Sequence, residues 1–252
     1  MILEYHRPQA LDEALALLSR EVPRTIPLGG GTVISQMAGP GVAVVDLQAL
    51  GLNTLETQGN ALVAGATVTL EKLYQHPHLA PALKEAIHLE ATLNTRNVAT
   101  VAGAVVAGDG LSPYLTVLLA LDARLGWQPG DEQMTIGDYL ALKPTLKPGR
   151  LIARITLPMQ PQVQFAAVGR SPMDRPLVSV AVARWPSGRM RVAVGGEAPA
   201  PVLALDGVES GEIESVVINA CSQLGNQWSS KEYRNKTIQT LVKRLTQQEK
   251  TL

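Results

Sequence analysis

Residues 28–36 read "LGGGTVISQ": three consecutive glycines behind a short apolar run, with a hydroxyl at Thr32. A main chain that closes over a phosphate needs residues without bulk, so that several N–H groups point inward together. Residues 95–113, "TRNVATVAGAVVAGDGLSP", offer a second loop of small residues. Neither stretch completes a dinucleotide or nucleotide motif, although Gly103 and Gly108 of the second have the spacing of a P-loop. Gly29-x-Gly31 is followed by Ile34 where the dinucleotide fingerprint has its third glycine. "GAVVAGDG" places Asp109 where a P-loop has lysine, and an acid there repels phosphate. A nicotinamide-type Rossmann site and an NTPase are therefore not indicated. The plain structural alternative for each stretch is a tight turn.

The bulk numbers narrow the rest. At 252 residues, 46% hydrophobic and 17% charged, the chain suffices for one large domain or two modest ones. Lys+Arg and Asp+Glu both number 22, so no global field attracts nucleic acid or an anionic membrane. No apolar stretch reaches the roughly 20 residues of a membrane span. "MILEYHRPQALDEA" lacks the basic start and apolar block of a secretory leader. Cys221 is the lone cysteine, which leaves no internal disulfide and no Cys-based zinc or iron–sulfur site. A cytoplasmic setting is the expectation.

Periodicity supplies the elements. "PQALDEALALLSRE" puts Leu11, Ala14, Leu15 and Leu18 on one helical face. "RTIPLGG", "GVAVVDL" (41–47) and "NALVAGATVTL" (60–70) read as strands, with Thr69 capping the short helix "LEKLYQH". "APALKEAIHLEAT" (80–92) is helical, and "PYLTVLLALDARLGW" reads as a helix passing into a strand near Ala123. "GRLIARITLP" (149–158), "QPQVQFAAVG", "RPLVSVAVARW" and "RMRVAVGG" are strands, and the turn "PSGR" supports an antiparallel meander. "SGEIESVVINACSQL" and "SSKEYRNKTIQTLVKRLTQQ" are helices, the latter with a capping-box spacing from Ser229 to Glu232. The chain changes character near Pro158–Pro161.

In order and spacing, "LGGGTVISQM", "VVDLQALGLNTLE", "LVAGATVTLEKLYQHPHL", "LKEAIHLEATLNTRNVATVAGAVV" and "LLALDARL" resemble the FAD-binding medium subunit of the molybdenum hydroxylases, of the carbon monoxide dehydrogenase and xanthine dehydrogenase type. "RPLVSVAVARW", "RVAVGGEAPAPVLA" and "SSKEYRNKTIQTLVKRL" carry the resemblance to the C-terminal end. It implies an α+β protein. Residues 1–160 would form a two-subdomain PCMH-type FAD-binding domain. Residues 161–252 would form a small carbon monoxide dehydrogenase flavoprotein-like domain of antiparallel meander and helices.

The resemblance also implies two loops clamping the FAD pyrophosphate. The first maps to Gly29, Gly30, Gly31 and Thr32, and the second to Thr100, Val101, Ala102, Gly103 and Ala104. Val33, Asp109 and Leu151 complete the candidate cofactor contacts. The implied partners are a molybdopterin-binding large subunit and a 2Fe-2S small subunit. Electrons would pass from molybdenum through iron–sulfur clusters to the flavin and on to an acceptor. The protein holds the flavin while the cofactor does the redox chemistry. No residue of this chain is expected to act on the organic substrate, and no metal site is expected.

The pattern is broken in places. Ala102 and Ala104 stand where the family has glycine and asparagine, and Ala107 and Pro113 where asparagine and aspartate are common. Ala166 occupies a position often held by lysine, four before Arg170. Each lost hydrogen bond to a charged group costs about 1.5–3 kcal/mol. Three readings stay open at this point: an FAD-binding electron-transfer subunit with an unusual cradle, a scaffold subunit whose flavin binding is weak or lost, or a free-standing binding protein for another nucleotide.

Other residues read more simply. Asp109 is a turn or cap acid, or a contact to a ribose or water. His76 and His78, flanking Pro77, mark a helix end rather than a metal site. Tyr233-Arg234 pack or pair on their helix, and Glu56 and Glu71 show no paired-carboxylate logic.

Overall fold

The computed structural model describes residues 1–34, 40–145, 148–171, 174–208, 213–221 and 229–247. In chain order its elements are β1 (Ile2–His6), α1 (Leu11–Leu18), β2 (Thr25–Leu28), β3 (Val42–Asp46), β4 (Leu55–Gln58), β5 (Ala61–Gly65), α2 (Leu70–Tyr74), α3 (Pro81–Glu90), α4 (Leu93–Arg96), α5 (Val101–Ala107) and α6 (Pro113–Ala120). There follow β6 (Arg124–Gln128), β7 (Gln133–Thr135), α7 (Ile136–Leu142), β8 (Leu151–Pro158), β9 (Gln162–Val168), β10 (Val178–Arg184), β11 (Arg189–Gly195), β12 (Val202–Val208), α8 (Ile213–Ala220) and α9 (Lys231–Gln247). The α+β expectation holds. These elements gather into two compact units, each built from three segments: 1–76, 93–107 and 124–157 in the first, and 77–92, 108–123 and 158–252 in the second.

The first unit contains two sheets. β1, β3 and β2 run parallel in the order β1-β3-β2, with β3 central and buried along its whole length. A central strand of a sheet covered on both faces is a near-continuous apolar run, and Val42–Val45 fit that rule up to the closing Asp46. The helical face foreseen in α1 lays Ala14 and Leu18 against Val45, Leu47 and Leu151. The second sheet has the order β4-β5-β8-β6-β7. Thr69 caps α2 as its spacing suggests, accepting the Lys72 N–H at 3.1 Å.

The second unit is the meander foreseen in the sequence, four antiparallel strands in the order β12-β11-β10-β9. Side chains alternate across the strands. Val178, Val180 and Val182 of β10 join Val192 and Val194 of β11 under α8 and α9, where Val217, Ile238 and Val242 close the core. The opposite register of β10 meets α6: Ser179 Oγ lies 3.1 Å from Thr116 Oγ1. Every residue of α6 is buried, which explains why its sequence shows no polar face.

Three details depart from the expectation. The second loop of small residues is largely helix: Val101–Ala107 forms α5, begun by Thr100, whose Oγ1 accepts the Gly103 N–H at 3.1 Å. The cap of α9 is Ser230, which accepts the Tyr233 N–H at 3.2 Å, and not Ser229. Glu232 then sits one position short of a capping box. The strands β1, β4 and β12 border their sheets and alternate poorly, so periodicity leaves them hidden. The ends of two expectations, residues 35–37 of the first loop and 210–212 and 222–224 around α8, lie outside the described residues.

Candidate functional site

The site begins where β2 runs out. After Leu28 the chain enters Gly29, Gly30 and Gly31, and Gly31 has φ +71°, a conformation that costs other residues about 1–2 kcal/mol. A Cβ on Gly30 would lie 1.9 Å from the carbonyl oxygen of Val98, and one on Gly29 would lie 2.6 Å from Thr100 Oγ1. The first bend is therefore packed directly on the turn that opens α5. A Cβ on Gly103 would meet the same Thr100 oxygen at 2.8 Å. One buried hydroxyl is thus enclosed by both small-residue stretches, which accounts for glycine at both places.

That turn is held firmly. Leu70 N–H bonds to Ala99 O at 2.9 Å and Val101 N–H to Val68 O at 2.8 Å, beside an isolated antiparallel bridge between Thr69 and Thr100. Arg96 Nε meets Glu71 Oε2 at 2.8 Å, and the Arg96 guanidinium lies 4.9 Å from the centre of the Tyr74 ring. The Arg96 hydrogen bond, with a second from Gln75, holds the Glu71 carboxyl below its ordinary range.

The two stretches offer different main-chain donors. In the second, the amides of Val101, Ala102, Gly103 and Ala104 bond to Val68 O, Ala66 O, Thr100 Oγ1 and Thr100 O. In the first, no acceptor for the N–H of Gly29, Gly30 or Gly31 is found among the described residues.

Both stretches border one cavity of the first unit, with a volume of about 500 Å³. Small-molecule sites commonly span about 300–1,000 Å³. Its wall brings together Gly29, Gly30, Gly31, Thr32, Val33, Thr100, Ala102, Gly103 and Leu151 of the sequence-derived set. Ala104 lies in the first turn of α5 and does not border it. Asp109 belongs to the second unit, where its carboxylate accepts the Leu111 N–H at 2.9 Å and pairs through both oxygens with Arg175 at 2.7 and 3.1 Å. The turn-acid account of Asp109 matches this geometry. In that unit Gly110 N–H bonds to Ala198 O, and Gly196 N–H to Gly110 O, each at 2.8 Å.

The cavity also has lining residues that carry no sequence motif. Among the described residues its charged groups are Arg24, Lys143 and Arg150, and none that line it is a carboxylate. Arg150 pairs with Glu132 and stands 5.1 Å from the Trp127 ring centre. Trp127 and Tyr139 have ring centres 5.7 Å apart, inclined at 43°. Burial pushes the Tyr139 hydroxyl up to about 12, so it stays neutral. These residues come from β6, α7 and the approach to β8, and only the fold assembles them. Cationic groups and amides without an acceptor among the described residues suit an anion, and the aromatic wall suits a flat ring.

Residues 1–160 match the family described as the FAD binding domain in molybdopterin dehydrogenase. The chain belongs to that family. It is an FAD-binding oxidoreductase subunit, and its cofactor is FAD. Among curated relatives, the uncharacterized protein YgfM of Escherichia coli (strain K12) is 30% identical, over 87% of this chain and 86% of its own length. The nicotine 6-hydroxylase medium subunit of Paenarthrobacter nicotinovorans is 27% identical, over 96% and 95%. In fold the chain is similar to a carbon monoxide dehydrogenase from Hydrogenophaga pseudoflava, with a TM-score of 0.81 and 22% identity over 98% of this chain and 96% of that one.

Among the described residues no group of three or more His, Cys, Asp or Glu side chains is placed to hold a metal ion. No helix among them is long and apolar enough to cross a membrane. Cys221 is buried, which pushes its thiol up to about 12, far from a reactive thiolate.

Proposed function

We propose that the chain is the FAD-carrying electron-transfer subunit of a molybdenum hydroxylase, receiving electrons from a molybdopterin-binding large subunit by way of a 2Fe-2S small subunit. Bound FAD would supply two-electron and one-electron redox chemistry between those centres and an external acceptor. The observation that carries the reading is the cavity of the first unit, where, among the described residues, the glycine amides on one side have no acceptor, the wall carries cationic side chains, and no carboxylate lines it. In this reading the N–H groups of Gly29, Gly30 and Gly31 hold the diphosphate. Thr100 adds its hydroxyl, whose proton has no acceptor among the described residues. Thr32, Val33, Ala102, Gly103 and Leu151 shape the wall around the ligand, Leu151 from a buried position at the start of β8. The second stretch spends its amides on the protein and serves as a packed floor, so the alanines at 102 and 104 remove less than a donor count suggests.

Residues 1–160 would be the FAD-binding domain of the subunit and 161–252 its C-terminal domain, a division along the sequence. The relative named as the medium subunit of nicotine 6-hydroxylase supports a larger assembly. The direct test is flavin content: the purified chain is expected to be yellow, or to quench the fluorescence of added FAD at a one-to-one ratio. A colourless chain that leaves saturating FAD fluorescent would overturn the reading and leave the scaffold role. Co-purification of the two partner subunits tests the assembly separately.

A further inference from the structure

The cavity has two chemically distinct stretches. One is the glycine bend and Thr100; the other is Trp127, with the Arg150 guanidinium beside it and the Tyr139 ring against it. The second stretch is poorly built for a diphosphate. Its guanidinium already has a carboxylate partner in Glu132, and the rest is aromatic surface. A guanidinium laid near an indole is instead a flat, cationic plate, and such plates stack on heteroaromatic rings.

We propose that Arg150, backed by Trp127 and Tyr139, forms the stacking plate for the adenine base of the dinucleotide held at the glycine bend. The assignment rests on the FAD reading and deepens it. FAD has two flat ring systems, and burial chooses between them. Trp127 is 5% exposed and Tyr139 2% exposed, whereas Val33 and Val106, which also line the cavity, are 49% and 52% exposed. A ring that must exchange electrons with an outside acceptor needs an open edge, and adenine does not. The closed aromatic stretch therefore suits adenine. Leu151 and Ile152, each 4% exposed, continue the same wall with aliphatic surface. Nothing in the local sequence announces this plate, because Trp127, Tyr139 and Arg150 come from three elements.

The test uses Arg150→Lys, which keeps the positive charge beside Glu132 and removes the planar group. Binding of FAD, ADP, FMN and inorganic pyrophosphate is titrated on the full chain, with the melting temperature as the check on folding. The expected result is about a tenfold loss of affinity for ADP and FAD, with pyrophosphate and FMN unchanged. ADP binding equal to that of the unsubstituted chain overturns the plate. So does an equal loss for pyrophosphate, which has no base, or a loss confined to FMN, which would assign the plate to the isoalloxazine ring. An unsubstituted chain that binds neither FAD nor ADP refutes the FAD reading itself, and the plate falls with it. A chain that binds both but is indifferent to the substitution refutes the plate alone.

Discussion

Thr100 concentrates several physical roles in one side chain. Its hydroxyl caps α5, lies where a Cβ on Gly29 or Gly103 would press at 2.6 or 2.8 Å, and, among the described residues, finds no acceptor for its proton, which the proposed function gives to the ligand. Thr100→Val preserves shape and removes the hydroxyl; it is expected to lower stability by about 0.5–2 kcal/mol through the lost cap. It is also expected to weaken FAD binding severalfold, while Thr100→Ser restores both. Thermal melts and fluorescence titration of the two variants read these outcomes, and a valine variant with unchanged affinity would remove Thr100 from the ligand site. At this scale the sequence was informative about one side of the site only. Three glycines in a row and a threonine before small residues announce a close approach of main chains. Arg24, Trp127, Tyr139, Lys143 and Arg150 announce nothing, because each is an ordinary residue of its own segment.

Among the elements, α2 and α4 are tied by Glu71 and Arg96, both buried for most of their side-chain surface. The Glu71 carboxyl titrates below its unfolded value of about 4.5. Its contribution is therefore complete above that pH and is lost as the pH falls through the lower, folded value. Glu71→Gln is expected to lower the melting temperature at pH 7, with the deficit shrinking as the pH is taken to 3. Glu90, at the end of α3, has the opposite sign. Its Oε2 accepts from Ser112 Oγ at 2.7 Å and from Tyr114 N–H at 3.2 Å, but burial outweighs these bonds and raises its pKa above 4.5. The folded state then binds the proton more tightly than the unfolded chain, and stability declines as the pH rises through the folded value. Glu90→Gln should gain on the unsubstituted protein between pH 4 and pH 8, measured as the difference in melting temperature. Helix α5 shows why elements near the site were harder to read: "VAGAVVA" lacks both a polar face and a strand alternation, so only its capping threonine reveals it. The meander was easier, since β10 and β11 are rich in Val and Ala and are joined by a short turn.

For the whole molecule, the order of segments matters more than the count of elements. The chain leaves the first unit after residues 76, 107 and 157, and returns to it at 93 and 124. Helix α6, buried at every position, packs on β10 and β11, and α3 packs on β9 and α6. A fragment ending at residue 160 would keep both helices and lose those strands. Such a fragment is expected to aggregate, or to bind a hydrophobic dye strongly, despite containing the whole family match; a soluble monomer with a sharp melt would contradict this. The change of character near Pro158–Pro161 was legible because local composition shifts there, while the interleaving was not, since nothing local records which distant sheet a helix will cover. The crossings bear on inheritance as well as on folding. A gene of this kind cannot trade one unit for another by a single splice, so its two halves must have drifted together, each substitution in one filtered by a neighbour encoded on the far side of the junction.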